Sequence, residues 1–135
     1  AREELEYLKE GRYTDADIVA RLLHSARLVL VTDGAAPMRW FARGRSGELP
    51  TIEVKAVDTT AAGDAFIGGL LSQLQRKGVD TRTFDAFLAQ STELEHCLRY
   101  ASACGALAVT RHGAFAALPT HAEAVALLGA SEVEA

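Results

Sequence analysis

Several things are scarce in this sequence, and each absence removes a class of function. No apolar run approaches the roughly 20 residues that a membrane helix needs, so no spanning segment and no membrane partner are expected. No basic cluster or stripe is present and the formal net charge is −4, which argues against a nucleic-acid partner. Cysteine occurs only as Cys97 and Cys104, in what reads as one helix. At 1.5 Å per residue their spacing separates them by about 10 Å, beyond disulfide reach, and reduced thiols in a cytoplasmic protein are the expectation. His24, His96, His112 and His121 have no zinc-like spacing with these thiols. The best-known phosphate-binding signatures are missing as well. There is no G-K-[ST] ending to a glycine loop, and no GxGxxG follows a strand. The opening AREELEYLKEG is a charged amphipathic helix rather than a signal peptide.

What remains is an ordinary globular balance, about half apolar and a quarter charged, in 135 residues, enough for one domain or one large lobe. Leu5 and Leu8 share a face of a first helix that Gly11 ends. Thr14 and Asp17 make a capping pair for a second helix, whose apolar face is Ile18, Val19, Leu22, Leu23 and Ala26. Residues 28–32, LVLVT, form a continuous apolar run and predict a strand covered on both faces. A turn at Asp33-Gly34 leads to a strand over 38–42, then a polar loop over 43–48, then an alternating strand over 51–57. A helix through Leu70, Leu71 and Leu74 stops at Gly78. Thr92 with Glu95 predicts a capping box for a long helix ending near Val109. Thr120 with Glu123 predicts another, for a last helix ended by Gly129 and followed by a frayed tail over 131–135. This order predicts an α/β layer with a largely parallel sheet and no second domain. Trp40 and Phe41 are expected to pack the sheet.

The informative stretch is residues 57–66, VDTTAAGDAF. A strand leads into small residues and an amphipathic helix leads out. Ala61, Ala62 and Gly63 leave backbone N–H groups open to a ligand, and the first helical turn carries unpaired N–H groups and a partial positive charge. An anion such as a phosphoryl group is the natural occupant. Asp64 in that place would repel an anion, but it makes sense as the acceptor of a hydroxyl proton beside the phosphoryl site. The plainer alternative is a helix-start carboxylate that only complements the dipole.

DTTAAGDAFIGGLL resembles the D-T-x-G-A-G-D signature of ribokinase-type (PfkB) carbohydrate kinases, with Ala61 at the first Gly position. Residues 100–119, YASACGALAVTRHGAFAALP, resemble the same family's adenine-side helix and loop, in wording closest to bacterial fructokinases. VTDGAAPMRW, residues 31–40, resembles its T-x-G strand end beside the nucleotide, with Pro37 in place of a frequent second Gly. The three motifs occur in the family's order and cover most of the chain.

The resemblance implies the C-terminal part of a ribokinase-like three-layer α/β/α fold, with an incomplete sheet. It implies a nucleotide-binding portion over 1–135 whose sugar-binding half and lid lie in an absent N-terminal half, so this portion alone is expected to be inactive. The lack of an opening Met fits a piece of a longer protein. The implied reaction is ATP-dependent phosphorylation of a sugar hydroxyl, most like fructokinase. Kinases for ribose, ketodeoxygluconate or a nucleoside are siblings, and a non-catalytic nucleotide-binding or regulatory fragment is the alternative from another class.

By the same resemblance Asp64 is the catalytic base, and the amides of Ala61, Ala62, Gly63 and Asp64 form the anion hole. Thr32 and Gly34 lie along ATP. Ser102 stands against adenine, although the small residues around it equally suit close helix packing. Magnesium accompanies ATP and is linked to Glu4, which matches the glutamate of an N-x-x-E motif whose Asn position is held by Ala1. A potassium ion is implied at Asp58, Thr60, Ala108, Arg111 and Gly113, mainly through backbone carbonyls, with Ala117 replacing a Ser of that shell. For Asp58 the alternative is a helix N-cap. Phe115 either shields the nucleotide or packs in the core. The implied partners are a small-molecule sugar and ATP, with a homodimer of the full-length enzyme.

Overall fold

The computed structural model describes residues 1–133, without the side chains of 131–133; of the expected tail, residues 134 and 135 lie outside the described residues. The chain divides into two compact units, Ala1–Thr51 and Ile52–Ala135.

The first unit holds α1 (Arg2–Lys9), α2 (Asp15–Leu22) and three strands, β1 (Leu28–Asp33), β2 (Ala36–Ala42) and β3 (Arg45–Leu49). Helix α1 ends as expected beside Gly11, which has φ +68°, with Glu10 also left-handed. The Thr14/Asp17 capping box forms, each residue's backbone N–H donating to the other's side chain, at 2.9 and 3.2 Å. The apolar helix faces are narrower than their patterns. Leu5, Ile18 and Val19 are buried, whereas Leu8 and Leu22 are exposed. Leu5, Ile18 and Val31 form a small core joined by Tyr13, Val29 and Phe41.

The sheet corrects four expectations. It is antiparallel throughout, in the order β1-β2-β3, rather than largely parallel. Two-residue turns at 34–35 and 43–44 join the strands, with Gly34 at φ +55° and Gly44 at φ +74°, and so short a link permits only a hairpin. The run 28–32 is half-buried apart from Val31, and among the described residues β1 has a strand neighbour on one side only. The polar stretch 43–48 is mostly strand β3, whose outward side chains hide it from an apolar-pattern reading. Residues 51–57 alternate in hydrophobicity but carry no ladder among the described residues, and alternation alone does not supply a hydrogen-bonding neighbour. Trp40 is fully buried as expected and faces Gly47, where an added Cβ would come within 2.4 Å of the indole nitrogen.

The second unit is helical: α3 (Ala62–Arg76), α4 (Phe84–Leu88), α5 (Ser91–Val109) and α6 (His121–Val133), with a 3-10 turn at Phe115–Ala117. Helix α5 is its spine. Leu94, Cys97, Leu98, Ala101, Ala103 and Ala108 are all fully buried, and each leucine contributes about 1.5–3 kcal/mol of burial. The row of small residues on α5 is used for close packing against α3. A Cβ at Gly69 would lie 2.9 Å from Cys104 Sγ and 3.2 Å from Ala101 Cα. Both cysteines are free and buried, and burial pushes their thiols up.

One added helix and two boundaries differ from expectation. Short α4 has too few turns to leave a periodic signal. Helix α5 begins at Ser91 after Gln90, with no side-chain cap bond, so the Thr92/Glu95 capping box does not form. Gly129 does not end α6, which continues to Val133. It lacks the left-handed φ with which glycine closes a helix.

Candidate active site at the start of helix 3

The site begins where residues 57 and 58 meet the end of α5. The backbone N–H groups of Val57 and Asp58 both donate to the Val109 carbonyl, at 2.7 and 3.1 Å, so the last turn of α5 anchors the incoming segment. Asp58 then divides its carboxylate. Oδ1 accepts from the Thr60 hydroxyl at 2.6 Å and the Thr60 amide at 3.0 Å, while Oδ2 accepts from the Gly113 amide at 3.0 Å. The Thr60 hydroxyl bond first, then the Gly113 and Thr60 amides, hold this carboxyl down at about 2, so it stays ionised. Asp58 is therefore a tie between two loops rather than an N-cap. The N-cap of α3 is Ala61.

Ala61 has no side-chain acceptor to offer the helix start. The Ala62 amide donates to the Thr59 carbonyl at 3.2 Å, and Ala65 closes the first helical bond to the Ala61 carbonyl at 2.9 Å. No hydrogen bond engages the amides of Ala61, Gly63 or Asp64 among the described residues. Of the four amides expected to face an anion, Ala62 is thus internally occupied and three are open. Gly63 is exposed, and a Cβ there would meet nothing within 4 Å. Its missing side chain is not required by internal packing. By contrast, the inner side of the loop is fixed. Ala61 is buried with Tyr100, Ala103, Cys104 and Ala108, and a Cβ on Gly105 would sit 3.2 Å from the Ala62 carbonyl. Asp64 is exposed, in the first turn of α3, with no hydrogen-bond partner among the described residues.

The second wall follows α5. The Ala108 carbonyl accepts from the amides of Thr110 and, at 3.4 Å, Arg111. Gly113 turns the chain at φ +94°, and the Arg111 guanidinium pairs with Glu123. Glu123 also accepts from the Thr120 amide at 2.7 Å and the Thr120 hydroxyl at 2.9 Å, so the predicted capping box of α6 forms. The Thr120 amide first, then Arg111, hold the Glu123 carboxyl at about 2. Phe115 is 91 % exposed, which corrects the core-packing alternative.

Asp58, Thr60, Ala61–Asp64, Ala108, Arg111 and Gly113 thus fall in one region of the second unit. Ser102 is half-buried on α5, between fully buried Ala101 and Ala103. Thr32, half-buried in β1, and Gly34, in the β1–β2 turn, belong to the first unit. Glu4 is exposed on α1 in that unit. Two links escaped sequence reasoning. The Arg111–Glu123 pair spans twelve residues with no repeat to mark it, and the Tyr100 hydroxyl bonds His121 Nδ1 at 2.7 Å across α5 and α6.

Among the described residues no helix is long and apolar enough to cross a membrane. In solved structures, the chain is similar to a fructokinase from Xylella fastidiosa with bound ATP: TM-score 0.89, 41 % identity, 96 % of this chain and 41 % of that one. It is also similar to a Vibrio cholerae fructokinase in a fructose-, ADP- and calcium-bound form, with TM-score 0.74, 36 % identity, and coverage of 93 % and 38 %. Fructokinase-1 of Oryza sativa subsp. japonica is 36 % identical over 126 residues, 93 % of this chain and 37 % of that protein. The chain spans 30–37 % of the length of most of these curated relatives and 57 % of one, a putative fructokinase-8 of Arabidopsis thaliana. A ribokinase from Thermotoga maritima is also similar, with TM-score 0.71, 27 % identity, and coverage of 94 % and 40 %, and the chain has part of the ribokinase-like fold. With residues 1–121 matching the pfkB family carbohydrate kinase description, the chain belongs to that family.

Proposed function

We propose that this chain is the C-terminal, nucleotide-binding portion of an ATP-dependent sugar kinase of fructokinase type, with Asp64 as the base. The observation that carries the reading is the start of α3, where three unengaged amides and one exposed carboxylate occupy the first turn of a helix without a side-chain cap. Support for the substrate class comes from relatives named as fructokinases, and from a neighbour solved with fructose and ADP.

In the proposed reaction the sugar hydroxyl gives its proton to Asp64 as its oxygen forms a bond to the γ-phosphorus. The bond from that phosphorus to the bridging oxygen breaks, and ADP leaves. The transition state is loose, with charge on the equatorial oxygens, so the open amides of Ala61, Gly63 and Asp64 act by stabilising that charge. Asp64 need not be a strong base, because the proton moves late. Thr32, Gly34 and Ser102 are assigned to the nucleotide.

The carbonyls of Asp58, Thr60, Arg111 and Gly113 accept no hydrogen bond among the described residues, which suits a monovalent cation that takes oxygen donors, such as potassium. The Ala108 carbonyl already accepts two bonds and is the poorest of the five. Magnesium would be held chiefly by the phosphate oxygens, with Glu4 as the carboxylate assigned to it. Both ions would supply positive charge to the phosphates.

The test is ADP release by the protein in its full natural length, supplied with ATP, magnesium and one sugar at a time. Fructose-dependent release, above ribose, ketodeoxygluconate and nucleosides, is the expected result. Nucleotide binding without release on any sugar would replace the kinase reading with a nucleotide-binding regulatory one.

A further inference from the structure

Glu123 divides its oxygens between two duties. Oε2 serves the capping box, accepting from the Thr120 amide and hydroxyl, while Oε1 takes the guanidinium of Arg111, twelve residues earlier. A cap alone would need only the first. Asp58 is divided in the same manner, with Oδ1 on Thr60 and Oδ2 on Gly113. Gly113 itself has φ +94°, a conformation that glycine adopts without strain, while Arg111 is held by its amide on the Ala108 carbonyl at 3.4 Å and by its guanidinium on Glu123. The Gly113 amide lies only two residues beyond Arg111, so what holds Arg111 limits where that amide can reach. A continuous path runs from the first turn of α6 through Glu123 and Arg111 to Gly113, then through Asp58 to Thr60, next to the N-cap Ala61.

We propose that Glu123, acting through Arg111, is a positioning residue for the loop at the start of α3: it holds the 111–113 turn so that Gly113 engages Asp58 Oδ2 and leaves Oδ1 to fix Thr60. Without the pair, Gly113 swings off Asp58 and the residues ahead of Ala61 lose one of their two anchors. The other anchor, at the Val109 carbonyl, remains. The consequence for turnover rests on the kinase reading, because a small displacement of open amides matters most where they meet a transferring phosphoryl group.

The test has two arms. Amide hydrogen exchange is measured on the full chain with Glu123→Gln, Arg111→Met and Thr120→Ala. The first two are expected to speed exchange at Gly113 and Thr60 by about threefold, as befits a half-exposed pair. Thr120→Ala should speed only the first turn of α6, and the middle of α3 and α5 should stay unchanged in all three. Faster exchange confined to α6, or spread over the whole chain, overturns the linkage. In the second arm, on the full-length protein, Glu123→Gln and Arg111→Met are each expected to lower kcat about threefold or more with KM little changed. The double variant should be no worse than either single one. Unchanged kcat, or losses that multiply, overturns the positioning role. Absence of any sugar phosphorylation in the unsubstituted protein would instead sink the kinase reading, with exchange still deciding the linkage.

Discussion

Helices α3 and α6 start within one unit, yet their first turns have opposite chemistry. At α6, Thr120 and Glu123 cap each other and Arg111 covers the remaining carboxylate oxygen, so the helix start is closed by the chain itself. At α3 the cap is Ala61, which has no acceptor, and the amides of Gly63 and Asp64 are left to whatever comes from outside. A helix that can cap itself is held by local bonds. One that starts bare must be held by its packing, and α3 is, through Ala61, Ala65 and Gly69 against α5. The comparison separates a helix start that serves stability from one that is free to serve a ligand.

The largest effect should come from the open end. Asp64→Asn in the full-length protein is expected to lower kcat by about 10²- to 10⁴-fold with nucleotide binding retained, because only the proton acceptor is lost. Coupled ADP detection together with ADP titration measures both, and near-normal turnover would remove Asp64 from its role. Next is the packing that holds the open end in place. Gly69→Val forces atoms onto Cys104 Sγ and the Ala101 backbone and should destabilise the chain by about 1–3 kcal/mol in denaturant unfolding. A neutral result would mean that α3 is held by something other than close approach to α5.

At the closed end, loss of the Thr120 cap by itself should register as stability. Thr120→Ala removes the reciprocal cap and is expected to cost about 1 kcal/mol, with nucleotide affinity unchanged because the Arg111–Glu123 pair remains; a fall in that affinity would mean that the cap itself, and not only the pair, supports the start of α3. The smallest effect is with pH. Glu123 and Asp58 sit at about 2 in the fold, below the usual carboxylate range near 4, so the unfolded chain binds more protons. Their contribution is present above the unfolded value and is lost as pH falls from about 5 toward 2. Melting temperature against pH should flatten over that window in Glu123→Gln and Asp58→Asn, and an undiminished slope in both would contradict the assignment.

Much of the helical part was legible from local chemistry. Thr14 with Asp17 and Thr120 with Glu123 are caps whose partners lie three residues apart, so the pattern carries the geometry. Thr92 with Glu95 has the same spacing and makes no cap, since α5 had already begun at Ser91. The pattern allows a cap but does not choose the helix start. The sheet is less legible. Residues 45–49 are polar and still a strand, while 51–57 alternate and lack a ladder, because strand pairing is a property of the neighbour. At the site, Asp64 and the small residues before it were visible as a pattern. The occupied Ala62 amide and the double use of Asp58 were not, because each depends on where another loop lies.

By itself the sequence determined the family motif, the bare start of α3 and the capped start of α6, since these follow from side chains within one turn of one another. Only the tertiary structure decided which amides stay open, that Gly69 and Gly105 exist for close approach, and that Glu123 reaches Arg111. Those facts need two segments far apart in sequence to meet at hydrogen-bond or van der Waals distance, and residue type alone does not encode that meeting.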